Sequence, residues 1–162
     1  MRVVSWLSHD ATSMGALLAE IADDPATRHQ SSYAPLLPEL VRTALAIGDA
    51  AVARRLVDGV EPLYPYGEHA LVAIDGAFAE AGGDFAGAAA AYADAAGRWE
   101  RFDVIPEQGF ALLGQGRCLV RLSHLGEAQP ALQQAREIFV RLGATPALME
   151  TDALLADRLG NW

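Results

Sequence analysis

Apolar residues recur along this chain at the three- and four-residue steps that mark one face of an α-helix. The clearest stripe has steps of four, three, four and three and consists of Ala88, Tyr92, Ala95, Trp99 and Phe102. Similar stripes cover residues 10–22, 37–47, 52–60, 71–78, 112–120 and 125–142. Alanine and leucine dominate, whereas β-branched and aromatic residues are sparse, which favours helix over sheet. The pattern predicts an all-α protein.

A short corner interrupts the stripes three times, as a glycine or serine followed by a polar residue: Gly48-Asp49, Gly83-Asp84 and Ser123-His124. The offsets are counted from the second residue of each corner. An alanine follows it by four residues (Ala53, Ala88, Ala128), and a bulky residue follows it by eight (Val57, Tyr92, Leu132). The corners lie 35 residues apart (49 to 84) and then 40 (84 to 124). A period in this range is typical of stacked, antiparallel helical hairpins. Glycine can end a helix in the left-handed conformation, and aspartate can cap the next helix.

These signals divide the chain into five parts. We predict an N-terminal helix and connector over residues 1–33, three hairpins over 34–66, 67–104 and 105–143 (together 34–143), and a C-terminal capping helix over 144–162. Two prolines and a glycine predict a loop over residues 62–67. Thr145 followed by Pro146 predicts the start of the last helix, and Glu150, Asp152, Asp157 and Arg158 predict a polar outer face for it. The second helix of the third hairpin should begin near residue 126, because proline at 130 is tolerated only near a first turn.

Two glycines stand in mid-helix, Gly76 and Gly116, each eight residues before the second corner residue. Glycine costs about 1 kcal/mol against alanine at such positions. We expect a close helix crossing to offset this cost, with each glycine paired to the small residue across the corner, Ala88 or Ala128. The first hairpin has Val41 at the matching place, so its helices should lie further apart. The alternative is that both are surface glycines without a role.

The hairpins resemble the tetratricopeptide repeat in their small and bulky positions. Matching residues are Leu112, Gly116, Leu119, Ala128, Leu132 and Ala135, then Val72, Gly76, Ala88, Tyr92 and Ala95, and more loosely Leu37, Ala53 and Val57. The departures are the missing tryptophan near each repeat start, the Ser123-His124 corner and the lengthened spacing. The resemblance implies hairpins stacked as a right-handed superhelix.

A narrower resemblance covers most of the chain. The segments 112–119, 135–139, 150–155 and 67–71 are similar to the C-terminal helical region of large bacterial adenylate/guanylate cyclase-type proteins, which also carry a nucleotide-binding ATPase module. This resemblance implies that the chain is a regulatory tail. It also implies that the catalytic carboxylates of that family lie outside this chain.

The formal charge of −9 disfavours nucleic acid and anionic lipid as partners. No apolar run approaches the roughly 20 residues that span a bilayer, and the first residues lack a secretory cleavage site. The single cysteine, Cys118, excludes an internal disulfide. We therefore expect a cytoplasmic protein that binds neither nucleic acid nor membrane.

No catalytic constellation is evident, and we expect no enzymatic activity, cofactor or metal. The histidines at 9, 29, 69 and 124 lack metal-ligand spacing. Gly114-Gln115-Gly116 lies in a predicted helix with no preceding strand, so packing explains it better than a dinucleotide site. Cys118 lies among leucines, which predicts a buried, inert thiol.

In a tetratricopeptide-like array, the first helix of each hairpin lines the inner groove. Periodicity places five residues there as candidate partner-binding positions: Arg42, Glu80, Phe110, Arg117 and Arg121. Each of the five could instead be an ordinary surface residue. Tyr64 and Tyr66 form a second candidate patch, for which packing under the proline loop is the alternative. We expect a non-catalytic interaction or regulatory module whose partner is a protein, a peptide or another part of the same polypeptide. The alternative is a small-molecule-sensing domain that regulates an attached catalytic or DNA-binding module. The partner's identity and the oligomeric state stay open.

Overall fold

A computed structural model describes the backbone of residues 3–28, 33–62 and 64–159, and the side chains of residues 12–27, 33–62 and 64–156. Within these ranges the chain is helical, with connecting turns and no strand, which confirms the all-α prediction. The helices are α1 (Val3–Asp23), α2 (Pro25–Arg28), α3 (Tyr33–Ala46), α4 (Ala50–Val57), α5 (Pro65–Ala81), α6 (Phe85–Arg101), α7 (Ile105–Arg121), α8 (Leu125–Leu142) and α9 (Thr145–Leu159).

The chain divides into two compact units, residues 1–70 and 71–162, and the division falls within α5. In the first unit, α3 packs against α4, and α1 packs against both. Leu18, Leu37 and Leu56 are buried in its core. The Tyr33 hydroxyl donates a 2.7 Å hydrogen bond to the Leu56 carbonyl, which joins the start of α3 to the end of α4.

In the second unit, α7 packs between α6 and α8, and α9 packs mainly on α8. Its core contains Trp99, Leu132 and Phe139, none of which is exposed to solvent. Alanines at 88, 95, 128 and 135 are also fully buried, so the helices approach one another over small side chains. The stripes of α6 and α8 therefore supply both small and bulky side chains to the core of the second unit.

All three predicted corners share one backbone geometry. Gly48, Gly83 and Ser123 have φ of 82°, 85° and 61°, and the amide of the following residue donates to the carbonyl five residues earlier at 2.9 Å. This left-handed stop with a long backward hydrogen bond is the Schellman cap. The carboxylates of Asp49 and Asp84 each accept a backbone N–H at 2.9 Å, which confirms their capping role. His124 makes no side-chain cap.

The same geometry ends two further helices. Asp103 has φ of 57°, and Val104 donates to Trp99 at 3.0 Å; Gly143 has φ of 65°, and Ala144 donates to Phe139 at 3.0 Å. Helices α5, α6, α7 and α8 therefore all end in the same left-handed cap.

Several predicted boundaries shift. A one-turn helix, α2, lies in the predicted connector, and α4 ends at Val57, so Val60 is not helical. The loop predicted over residues 62–67 is wrong in its second half, because α5 begins at Pro65, where a proline fits a first turn. Helix α8 begins at Leu125, which leaves Pro130 in its second turn.

Two of the four residues predicted to keep the outer side of α9 polar, Glu150 and Asp152, have side chains that are 46% exposed. They also bind Arg117 and Arg136 on neighbouring helices, so they lie on the flanks of α9. Between these flanks the exposed positions are the uncharged residues Pro146, Met149, Ala153 and Ala156. Helix α9 begins at Thr145, as predicted, and the Thr145 hydroxyl lies 3.5 Å from the Gly143 carbonyl oxygen. Asp157 and Arg158 fall outside the described side chains.

Both mid-helix glycines are buried, so they are not surface glycines. A Cβ on Gly116 would lie 2.5 Å from Cγ and Cδ2 of Leu132, and one on Gly76 would lie 3.0 Å from the Tyr92 ring. In both cases the nearest atoms belong to a bulky side chain and not to a neighbouring backbone, so the expected pairing with an alanine is not what the glycines accommodate. The nearest neighbour of each glycine is the bulky residue eight positions past the corner, rather than Ala88 or Ala128, although both alanines are fully buried.

Candidate functional site

One ion cluster joins α5, α7 and α9. Arg117 of α7 donates from Nε to Oε1 of Glu80 on α5, and from Nη2 to Oε2 of the same carboxylate at 2.7 Å. Its Nη1 donates to Oε1 of Glu150 on α9 at 2.6 Å. The hydroxyl of Tyr92 on α6 donates to Glu80 Oε2 at 2.9 Å. We call these four residues the Arg117 cluster.

Two glycines position the tyrosine of the cluster. The Tyr92 ring lies beside Gly76 of α5 and beside Gly114 of α7, where an added Cβ would come within 2.7 Å of the ring. Only glycine leaves room for an aromatic ring between the two helices. The hydroxyl can therefore reach Glu80, and Gly114 serves packing, in line with its mid-helix position.

Exposure increases across the cluster from α5 to α9. The side chain of Glu80 is 17% exposed, that of Arg117 35% and that of Glu150 46%. The bidentate geometry of the Arg117–Glu80 pair is the strong form of a charged hydrogen bond. Two carboxylates surround one guanidinium, so the Arg117 cluster carries an excess of one negative charge. Its solvent-facing end is the Glu150 carboxylate.

The cluster also shifts the pKa values of its own groups. Burial lowers the pKa of Arg117, but its hydrogen bonds and attraction to Glu80, and then to Glu150, outweigh burial and raise it. The pKa of Tyr92 is raised by burial and by the nearby Glu80 carboxylate. At neutral pH, Arg117 is therefore charged and Tyr92 is a neutral hydrogen-bond donor.

Cys118 follows Arg117 along α7 and is fully buried, as predicted. Burial, followed by the charge of Glu80, raises the pKa of its thiol to about 12. A protonated thiol is a poor nucleophile. The residue therefore contributes packing beside the cluster.

The other predicted groove residues lie elsewhere. The Phe110 ring contacts Phe139 of α8 at a centroid distance of 5.2 Å and is half-buried. The Arg121 guanidinium lies 4.9 Å from the centre of the Phe85 ring of α6, a cation–π contact. Arg42 is half-buried on α3, in the first unit. Of the five candidates, the structure brings only Glu80 and Arg117 together.

Two members of the cluster were not among the predicted groove residues. Tyr92 was assigned to a core stripe and Glu150 to the outer face of the last helix. A signal was present in the spacing, because Glu80, Arg117 and Glu150 follow one another at 37 and 33 residues, close to the repeat length. Charge that alternates between α5, α7 and α9 is a pattern that could have identified Glu150 as a member.

Comparisons with known proteins name no family for the chain, because no protein-family model, curated protein or solved structure matches it. Among the described residues, no group of three or more His, Cys, Asp or Glu side chains could hold a metal ion. None of the helices in the described ranges is long and apolar enough to cross a membrane.

Proposed function

We propose that this chain is a non-catalytic module that binds a protein or peptide on the face formed by α5, α7 and α9. The observation that carries the proposal is the Arg117 cluster, in which one guanidinium on α7 joins carboxylates from α5 and from the C-terminal helix α9. Such a contact requires these helices to present their polar side chains to one common surface. We further propose that the hairpins stack in the right-handed manner of tetratricopeptide repeats, whose first helices line a binding groove.

The charge of this face favours a basic partner. The Arg117 cluster carries an excess negative charge, and the whole chain carries −9. Glu150 is the most exposed of its charged members and is held in place by Arg117. A carboxylate that is already oriented loses little side-chain entropy on binding. We therefore propose that lysine or arginine side chains of the partner contact Glu150.

We propose that the module is the regulatory helical region of a larger cytoplasmic signalling protein of cyclase/ATPase type, so that its partner can be another part of the same polypeptide. The resemblance of segments 112–119, 135–139, 150–155 and 67–71 supports this. The mass of the endogenous protein on an immunoblot tests it. A band well above 17.2 kDa is expected, and a band at that mass would point to a free-standing adaptor.

Affinity capture from host lysate tests the binding face. Wild-type protein is compared with Glu150→Lys and with a control of the same charge change, Glu137→Lys, at an exposed position on α8. We expect Glu150→Lys to lose a binding protein that Glu137→Lys retains. Equal capture by both variants would contradict the proposed face. A rise in melting temperature with a small metabolite would favour the sensor alternative instead.

A further inference from the structure

The helix α9 buries little apolar surface against the rest of the second unit. Of its described side chains, only Ala147 and Thr151 are buried, and both are small. Three leucines of α9 are half-buried: Leu148, Leu154 and Leu155. The neighbouring helix α8 instead buries bulky side chains such as Phe139. Because hydrophobic stabilisation scales with the apolar area removed from water, α9 is held more weakly than α8.

The buried hydroxyl of α9 makes its hydrogen bond within the helix. Thr151 Oγ1 donates to the Ala147 carbonyl oxygen, one turn earlier, at 2.7 Å. The donor and the acceptor therefore move together with α9. This hydrogen bond contributes nothing to holding α9 against α7 and α8.

Two ion pairs join α9 to its neighbours, and both are accessible to water. Arg117 binds Glu150 at 2.6 Å, Arg136 binds Asp152 at 2.7 Å, and the four side chains are between 35% and 48% exposed. Exposed pairs of this kind contribute little stability, and salt screens them. If α9 leaves, Arg117 keeps its bidentate contact with Glu80, so its guanidinium is not left without a partner.

The connection between α8 and α9 can act as a hinge. It contains Gly143, which has φ of 65°, and an added Cβ there would have no atom within 4 Å. A glycine in open space can change its backbone angles without a clash. The α9 helix can therefore turn at this position without disturbing the end of α8.

We propose that α9 opens from the second unit as one piece, by turning at Gly143, while α6, α7 and α8 stay folded. Isolated helices of its length, 15 residues, are only marginally stable in water, so the opened segment loses its helical hydrogen bonds. Such an opening is a local, cooperative unfolding step that requires less free energy than unfolding of the whole protein. Salt favours it, because salt weakens both ion pairs.

This opening regulates the binding face, a consequence that rests on the proposed function. Arg117 orients Glu150 only while α9 is docked. A basic partner that binds the docked face stabilises the closed state. Its apparent affinity falls in proportion to the fraction of molecules in which α9 is closed. The opening of α9 thus sets how much of the protein is ready to bind.

Hydrogen exchange of the full chain, followed by NMR without any partner, tests the opening. The amides of residues 149–156 should share one protection factor, at least about tenfold lower than those of residues 112–119 in α7. Raising salt from about 0.05 M to about 0.5 M should lower the α9 value about threefold to tenfold. It should not lower the α7 value, because salt also screens the repulsion within a chain of charge −9.

Three results would overturn the proposal. They are protection of α9 equal to that of α7, protection that declines gradually from residue 149 to residue 156, as in fraying of a helix end, and protection of α9 that does not depend on salt. Because this experiment contains no partner, its failure would leave the proposed binding face in place. Failure to capture a partner would equally leave the opening in place.

A matched pair of variants tests the role of the ion pairs. Asp152→Asn removes the pair with Arg136 and should lower the protection of α9 about twofold to fivefold. The control Asp94→Asn removes the same charge from an exposed pair with Arg98 within α6, and it should leave α9 unchanged. Equal effects of the two variants on α9 would overturn the role of the interhelix pair. Circular dichroism confirms that both variants are folded.

Discussion

Arg117 binds Glu80 through two parallel hydrogen bonds, and the same guanidinium donates a third to Glu150 at 2.6 Å. A planar guanidinium has a fork of donors that matches a carboxylate, whereas a lysine ammonium is a single point charge. The geometry of the Arg117 cluster therefore depends on arginine and not on positive charge alone.

Arg117→Lys should lower the free energy of unfolding by about 1–2 kcal/mol, because the bidentate contact with a largely buried carboxylate is lost. The control is Arg98→Lys, in an exposed pair with Asp94 one turn away on α6. Exposed pairs of this kind contribute little, so that change should stay within about 0.5 kcal/mol. Urea unfolding measures the free energy of unfolding of both variants. Equal losses would show that the stability of the Arg117 cluster does not require arginine.

The close crossing of α7 and α8 is tested by Gly116→Ala. The added Cβ would lie 2.5 Å from Cγ and Cδ2 of Leu132, which is fully buried. We expect a loss of about 1–3 kcal/mol in spite of the higher helix propensity of alanine. Gly116→Leu should destabilise the protein more than Gly116→Ala. An unchanged melting temperature of Gly116→Leu would contradict the close contact between α7 and α8.

Gly126→Ala serves as the matched control for that change. Gly126 lies in the first turn of α8, with no atom within 4 Å of an added Cβ. Only helix propensity changes there, so the variant should gain up to about 1 kcal/mol. A loss at position 126 similar to the loss at 116 would mean that the crossing is not the cause.

The corner at Ser123 contains strain that glycine would relieve. A non-glycine residue in the left-handed region costs about 1–2 kcal/mol, and Ser123 has φ of 61°. Ser123→Gly should therefore raise the unfolding free energy by about 0.5–1 kcal/mol, because the flexibility of glycine offsets part of the gain.

The reverse change at an equivalent corner completes this test. Gly83 has φ of 85° and open space around its Cβ position, so Gly83→Ala changes only the backbone preference. It should lose about 1 kcal/mol. Chemical denaturation measures both variants, and effects of the same sign would contradict the shared corner geometry.

Alkaline pH should destabilise the fold in a way that depends on Cys118. Folding raises the pKa of its thiol to about 12, whereas an unfolded thiol ionises near pH 8.5. Between these values the unfolded chain binds fewer protons than the folded chain, so stability falls as pH rises. Tyr92 adds to the fall from about pH 10, since its pKa is also raised.

Cys118→Ala should flatten the pH dependence between about pH 8.5 and about pH 10, even though the lost side chain lowers stability at every pH. Unfolding free energies at several pH values give the slope. A variant with the wild-type slope would show that the thiol ionises equally in both states.

The helices and the repeat were predictable because their signals are local. The left-handed stop at Gly83, the cap at Asp84 and the stripe that includes Tyr92 all lie within a few residues of one another. Asp103 adopts the same stop without a glycine, and aspartate is one of the few other residues that tolerate the left-handed conformation.

Predicting the Arg117 cluster from the sequence requires information that a helical stripe does not contain. Its charged residues lie 37 and 33 residues apart, so their contact depends on how far each helix is displaced along its neighbour. Periodicity placed Glu80 and Arg117 on one face. It could not separate them from Phe110, whose ring turns toward Phe139, because the side chain's direction is set by the packing of α8.

A photo-crosslinking amino acid at position 153, an exposed position on α9 one turn from Glu150, compared with one at position 137 on α8, tests the proposed binding face most directly. Expressed in the host, the protein with the crosslinker at position 153 retains Glu150 and should form a discrete covalent adduct with one basic protein or with another part of its own polypeptide. The protein with the crosslinker at position 137 should not. Adducts of equal yield from both positions, or from position 137 alone, would contradict binding at the Arg117 cluster.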